Sequence, residues 1–225
     1  MSILCIATPI DGASLRASKV SLGFADQRQA LSHVMPTAVI YEFAKDVVRA
    51  RNRAVARALQ ENATWTHMLW WDEDMWPEDV GIVQHMINRD VDVVGAPYTN
   101  KMRPLRFTHE PLRPEGAFGN GVQEVRKVGL GFTLVKRSCL EALTATTRKY
   151  RDWPHELKCA NMFGQLYEAP YEREEYTPED EEALLSEDYS FCARWRRAGG
   201  KIHILTGHHR IFHAGYHGFS EDEIG

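Results

Sequence analysis

The sequence predicts an α/β fold: one domain with a mainly parallel central sheet and helices on both of its faces. Three observations carry this. Short β-branched or aromatic runs alternate with longer helical stretches through the first half of the chain, the order that builds parallel sheets covered on both sides. The run Met68-Leu69-Trp70-Trp71 is apolar throughout and breaks into turn residues, as a buried strand does. At 225 residues and 44% apolar composition the chain holds a full core within one domain, residues 1–225.

Ile3–Thr8 reads as the first strand, ended by Pro9 and Gly12, and helical spacing runs from Ser14 to about Leu31. After Pro36, Thr37–Phe43 is rich in β-formers. Asp46–Glu61 is a helix with Val47, Ala50, Ala54, Ala58 and Leu59 as its apolar and small positions and Arg49, Arg51, Arg53 and Arg57 around them. The Trp70-Trp71 strand follows. Pro77 is then expected to open a helix to about Arg89, since proline at a first helical position gives up no bonded N–H. Val91–Ala96 is a short strand.

The second half changes character, and a smaller antiparallel part is expected there. Tyr98–Gly121, rich in Pro, Gly and Arg, reads as an excursion over the sheet, Val122–Val128 and Gly131–Lys136 as strands, and Arg137–Thr146 as a helix. Tyr150–Asp180 mixes aromatics, prolines and acids without periodicity, the mark of a binding loop or lid. Its acids at Glu172–Glu182 read as a solvated face. A helix from Ser186 to Ala198 is closed by Gly199-Gly200, and Lys201–Leu205 is a last strand before a His-rich tail.

The most informative stretch is Asp72-Glu73-Asp74, directly behind the tryptophan strand, at the sheet edge where open α/β folds place ligands. On an extended backbone, Asp72 and Asp74 would point to the same side. Converging carboxylates repel unless a cation joins them, and an all-oxygen set suits a hard divalent ion. Acids before a helix also serve as caps and dipole partners. Capping, however, needs one side chain, and three consecutive acids exceed it.

Composition excludes several classes. The net charge is −4 with scattered basic residues, which leaves no nucleic-acid footprint. No run approaches the length of a membrane span, and the N-terminus reads as a strand rather than a signal peptide. Cys5, Cys139, Cys159 and Cys192 match neither a zinc nor a disulfide framework, so reduced thiols and a cytoplasmic location are expected.

Four passages in this order resemble the GT-A nucleotide-sugar glycosyltransferases: Arg51-Asn52 opening a helix, Asp72-Glu73-Asp74 after a strand, Ser186-Glu187-Asp188-Tyr189 opening a late helix, and His213-Ala214-Gly215 near the C-terminus. Val128-Gly129-Leu130-Gly131-Phe132 also resembles the glycine-containing strand beside that family's donor sugar and acceptor. The likeness spans roughly Ile3 to Phe219 and is nearest to small soluble bacterial and viral members. It implies a nucleotide-binding half over residues 1–97 and an acceptor-binding half over 98–225.

By that resemblance, Asp72, Asp74 and His213 hold Mn²⁺ or Mg²⁺. Thr8, Pro9, Arg51, Asp72 and Glu73 border the nucleotide, and Gly129 and Gly131 line the donor-sugar and acceptor side. Asp188 is the general base of an inverting transfer, and Glu187 binds acceptor hydroxyls. In a retaining transfer the leaving phosphate takes the proton instead, and the sequence leaves both open. The donor is expected to be a nucleoside diphosphate sugar, UDP first and GDP second, and the acceptor a glycan or glycoconjugate. Read from the residues alone, Glu187 and Asp188 are first-turn acids, Gly129 and Gly131 close-approach positions, and His213 one of several surface histidines. The rival functions are a metal-dependent phosphoesterase, a nucleotidyltransferase lacking a recognisable triphosphate loop, and a sugar- or nucleotide-binding module without turnover.

Overall fold

The computed structural model describes residues 3–10, 18–43, 46–61, 64–101, 106–112, 121–153, 156–168, 183–207 and 209–213. In chain order the first half forms β1 (Leu4–Ile10), α1 (Ser18–Val34), β2 (Thr37–Phe43), α2 (Val47–Glu61), β3 (His67–Trp71), β4 (Met75–Pro77), α3 (Ile82–Asn88) and β5 (Val93–Gly95). The second half forms β6 (His109–Pro111), β7 (Val122–Val128), β8 (Phe132–Lys136), α4 (Arg137–Thr146), β9 (Lys149–Asp152), β10 (Leu157–Ala160), β11 (Tyr167–Glu168), β12 (Ala183–Leu184), α5 (Glu187–Arg197), β13 (Ile202–Leu205) and β14 (Ile211–His213).

One eight-stranded sheet, ordered β2-β1-β3-β8-β5-β13-β7-β6, carries the fold. The β2–β1, β1–β3 and β5–β13 pairs are parallel. Because β8 enters antiparallel between β3 and β5, and β7 antiparallel between β13 and β6, all strands except β7 and β8 share one direction. The remaining pairs are short and antiparallel: β9–β10, β11–β12 and β4–β14. The α/β class expected from the alternation of elements is therefore the observed one, with its antiparallel additions in the second half.

The period of two along β3 divides the core. Met68 and Trp70 join one cluster, with Ala54 and Ala58 of α2, Leu140 of α4 and Phe191 of α5. Leu69 and Trp71 join the other, with Leu31 of α1 and Ile82, Val83 and Met86 of α3. Both tryptophans are wholly buried. Alanines on the inner face of α2 let its backbone approach the sheet closely, and Trp65 fills the helix end, donating its indole N–H to the Ala58 carbonyl at 2.8 Å. Helices thus cover both faces, as a strand apolar on both sides requires.

Three expectations are corrected. Pro9 does not end β1, which runs on to Ile10. The pairing of β1 with β3 stops at Ala7, so beyond it only the β2 side bonds and a missing N–H is tolerated. Pro77 does not open a helix but closes β4, because Ile211–His213 pairs there as an additional strand, and α3 begins only at Ile82. Part of the expected 150–180 loop is regular: β9 and β10 form a hairpin packed on α2. The acidic segment 172–182 and residues 214–219 of the C-terminal passage lie outside the described residues. Among the described residues no helix is long and apolar enough to cross a membrane. All four cysteines are buried free thiols.

Candidate active site

The site is built at the carboxyl end of β3. The Asp72 N–H donates to the Gly131 carbonyl at 2.8 Å, and the Met75 N–H donates back to the Asp72 carbonyl at 3.1 Å. Asp72-Glu73-Asp74-Met75 is thus a tight turn, not the extended segment expected from the two-residue spacing of the aspartates. The turn exists because β4 must reverse into its pairing with β14. That pairing also sets these acids apart from the helix that follows. β4 separates them from α3, whose N-cap is Gly81, the Gly81 N–H donating to Asp79 at 2.8 Å. None of Asp72, Glu73 and Asp74 caps a helix.

Asp72 faces Arg51, which projects from α2 and is 1% exposed. The Arg51 Nη2 lies 3.3 Å from Asp72 Oδ1 and 3.4 Å from Asp188 Oδ1, and the guanidinium sits 5.2 Å over the Trp70 ring. One buried cation therefore joins the acid of the β3 turn to the acid of the late helix. Burial works against the charge on Arg51, but Asp72, Asp188 and Glu187 outweigh it and hold its pKa above the ordinary value. Burial raises the pKa of Asp72, with Arg51 opposing. Asp72 keeps 29% of its side chain exposed, so one edge of the carboxylate still faces solvent.

Asp188 stands in the first turn of α5, but Ser186 is the cap, its hydroxyl accepting from the Tyr189 N–H at 3.4 Å. The Asp188 carboxylate turns inward instead, and its Oδ2 accepts from the Leu130 N–H at 3.0 Å. Its pKa is pushed up to about 6, first by burial; Arg51 opposes this, and Glu187 adds to it by charge and through a side-chain hydrogen bond. A carboxylate tuned into that range is suited to accept a proton near neutral pH.

On the other side of the turn, Asp74 is ion-paired with the Lys101 ammonium. His213, on β14 opposite Met75, brings its Nε2 to 3.8 Å from Asp74 Oδ2. Its Nδ1 lies 2.9 Å from the Thr99 carbonyl, an atom that can only accept, so Nδ1 carries the proton and Nε2 of the neutral ring offers a lone pair. Burial depresses the His213 pKa and favours that neutral form, with the Thr99 hydrogen bond and Asp74 opposing. Holding one ring N–H on a backbone carbonyl is how ligating imidazoles are commonly oriented. Among the described residues no three His, Cys, Asp or Glu side chains already stand in ligating geometry, and Lys101 holds Asp74 instead. The donor types of Asp72, Asp74 and His213 nevertheless fit a divalent ion, and the Lys101 contact marks where positive charge is wanted.

Gly131 pairs with the turn, and Gly129 packs beside it. A Cβ on Gly129 would lie 2.3 Å from the Tyr98 hydroxyl, and one on Gly131 would lie 2.3 Å from Met75 Sδ. The Tyr98 hydroxyl accepts from the Gly131 N–H at 2.9 Å, and the ring meets His213 edge to face at 5.6 Å. Tyr98 is a site residue that sequence reasoning missed, and Lys101, read from the sequence as a surface residue near phosphate, instead pairs with Asp74; both follow the Val93–Gly95 strand. Thr8 is fully buried, and Pro9 pairs with Glu42; both lie past the last β1–β3 pair, on the same edge as the acids. Glu73 occupies the turn, partly exposed. His203 on β13 and His209, which meets His85 at 5.4 Å, stand apart from the site, and His208 and His217 lie outside the described residues.

Neither a protein-family model nor a curated protein matches this sequence. Among solved structures, the A197 protein from STIV is similar with a TM-score of 0.59 and 18% identity, over 99% of this chain and 91% of that one. The catalytic domain of Drosophila beta1,4-galactosyltransferase 7, in complex with xylobiose, is similar at a TM-score of 0.48 and 13% identity, over 92% of this chain and 66% of that one. A glycosyltransferase involved in glycosylation of the major capsid of PBCV-1 follows at 0.37 and 12%, over 62% of each chain. The two transferase likenesses are too distant to carry an argument. What the chain shares with the A197 protein, along nearly its whole length, is a fold.

Proposed function

We propose that this chain is a divalent-metal-dependent glycosyltransferase. It takes the sugar of a nucleoside diphosphate donor, UDP ahead of GDP, to the hydroxyl of a glycan or glycoconjugate. The observation that supports the reading is the placement of Asp72 and Asp74 on one β-turn, with His213 Nε2 3.8 Å from Asp74 and Asp188 joined to Asp72 through the buried Arg51.

Asp72, Asp74 and His213 would hold the ion. When bound, a divalent cation supplies Lewis-acid stabilisation to the departing diphosphate. The chain's own residues do the rest. The acceptor oxygen attacks the anomeric carbon as the bond to the diphosphate oxygen breaks. In an inverting transfer its proton would pass to the Asp188 carboxylate, which the Leu130 N–H orients through Oδ2 and Arg51 through Oδ1. In a retaining transfer the leaving phosphate takes that proton, and Asp188 keeps only its place beside Arg51. Glu187, adjacent on α5, binds acceptor hydroxyls. Gly129 and Gly131, placed by the resemblance on the donor-sugar and acceptor side, pack without Cβ atoms against Tyr98 and Met75 and so fix the backbone behind the turn.

The test is thermal shift with UDP, GDP and CDP, with and without Mn²⁺, followed by a screen for nucleoside diphosphate release from sugar donors. A ligand that binds only the native state raises its stability by mass action. Stabilisation by one nucleotide that requires Mn²⁺, with release of that nucleotide in the presence of an acceptor, is expected. Nucleotide binding indifferent to Mn²⁺ overturns the metal role. Metal-dependent binding without release in any donor and acceptor combination leaves a binding module.

A further inference from the structure

Behind the site, between the start of α2 and the β9–β10 hairpin, lies an open cavity of about 530 Å³. Its wall holds Arg148, Tyr150, Trp153 and Asn161, and Lys149 and Arg151 add charge at its rim. Trp153, at the hairpin turn, is 72% exposed, the most exposed large apolar side chain among the described residues. An indole so placed presents a bare ring face, and the flat apolar face of a sugar ring is a surface that stacks on it.

The hairpin is held from below by buried charge. Asp152, 2% exposed, pairs with Arg49 and lies 3.5 Å from Arg53, which in turn lies 2.8 Å from the equally buried Glu42. Arg49 also donates to the Trp153 carbonyl. Buried ion pairs contribute little net stability but hold the groups they join in one geometry. Here the joined group is the turn that presents Trp153.

The same network settles the local charge. Asp152 is paired with Arg49 and lies beside Arg53, while Asp46 keeps its charge and accepts from the Val48 N–H at 2.9 Å, so four lining cations, Arg49, Arg148, Lys149 and Arg151, face two acids. Arg151 has only a 3.8 Å contact with Glu156, both largely exposed, a pairing of little worth. The cavity is therefore cationic on a chain of net charge −4. It is also close to the site. Asn161 on its wall accepts from Asn52 at 3.2 Å, and Asn52 is the chain neighbour of Arg51.

We infer that this cavity binds an anionic saccharide, its ring on Trp153 and its acidic group met by Arg148 with Lys149 and Arg151. On the proposed transferase reading, it is the acceptor-side subsite and selects acceptors that bear a negative group.

The probe is trigalacturonic acid, compared with its methyl ester, which has the same rings without the charge. Binding to the full chain is measured by calorimetry at low ionic strength, with tryptophan fluorescence as a second readout. The acid is expected to bind at least about tenfold more tightly than the ester, and to weaken as salt screens the exposed cations. Arg148→Ala and Trp153→Ala should each lower its affinity about fivefold or more, since one removes a charge-assisted contact and the other the stacking face. Equal binding of acid and ester, absence of binding, or variants that bind like the parent each overturn the inference. Inorganic phosphate displacing the acid at equal concentration also overturns it, by showing an anion seat with no sugar recognition. The Mn²⁺-dependent UDP shift in the same variants should be unchanged. If UDP, GDP and CDP all fail to shift the parent, with or without Mn²⁺, while the acid still binds, the transferase reading fails and the saccharide site stands.

Discussion

Arg51 is the residue on which the two halves of the site depend, and Arg51→Met tests that. Methionine keeps length and apolar contact over Trp70 but leaves Asp72 and Asp188 without the cation they share. Removing one partner of a buried pair costs about 3–5 kcal/mol. Asp72 and Asp188 keep 29% and 18% exposure, so water screens part of the loss. The lower end, about 3 kcal/mol, is the working figure. For a chain of this size each kcal/mol moves the midpoint by about 2–4 °C, so thermal unfolding should fall by roughly 6–12 °C.

The pH dependence gives the sharper test. In the parent, Asp188 already titrates at about 6. A carboxyl whose folded pKa lies above its unfolded value loses stability as pH rises through that window and regains it as pH falls. Without Arg51 both carboxyls shift further upward. The deficit of Arg51→Met should therefore be largest near about pH 8 and shrink toward about pH 5, where protonation removes the uncompensated charges. The assay is paired thermal unfolding of parent and variant across that range. A deficit independent of pH, or a midpoint within about 2 °C of the parent at about pH 8, refutes the shared-counter-ion reasoning.

Gly131→Ala and Gly129→Ala each place a methyl 2.3 Å from a neighbour, Met75 Sδ and the Tyr98 hydroxyl respectively. Each should cost about 1–3 kcal/mol in chemical denaturation, and unchanged midpoints would show that the corner has room. Tyr98→Phe removes the acceptor for the Gly131 N–H. A loss of about 1–3 kcal/mol is expected, with little change if another acceptor takes its place. Asp74→Ala should abolish the Mn²⁺-dependent part of a nucleotide thermal shift, and an unaltered shift would remove Asp74 from the site. If Asp188 is the base, turnover should fall as pH drops through about 6, where Asp188 protonates, and Asp188→Asn should be inactive yet folded.

Much of the fold was legible because periodicity is local. Thr37–Phe43, Val122–Val128 and Arg137–Thr146 carry boundaries identical to those expected from their patterns, and Ser186 caps α5 as its sequence signals. Errors fell where a distant partner decides the backbone. Pro77 looks like a helix start until Ile211–His213 arrives to pair with Met75–Pro77. Pro9 looks like a strand end until the β3 side of β1 proves to stop at Ala7. Tyr98 and Lys101 carry no pattern of their own. Their roles come from where the chain passes after β5, against Gly131 on one side and Asp74 on the other.

Residue type and spacing nominated Asp72 and Asp74, and the resemblance in the order of motifs added Asp188 and His213, which from the residues alone read as a first-turn acid and a surface histidine. Their partners were a matter of three-dimensional packing. Arg51 is set between Asp72 and Asp188 because α2 packs its alanines on the sheet, and His213 faces Asp74 because β14 pairs with β4. Local sequence encodes propensity and chemistry. Counter-ions, tautomers and shifted proton affinities depend on groups brought together from distant parts of the chain, and only folding assembles those.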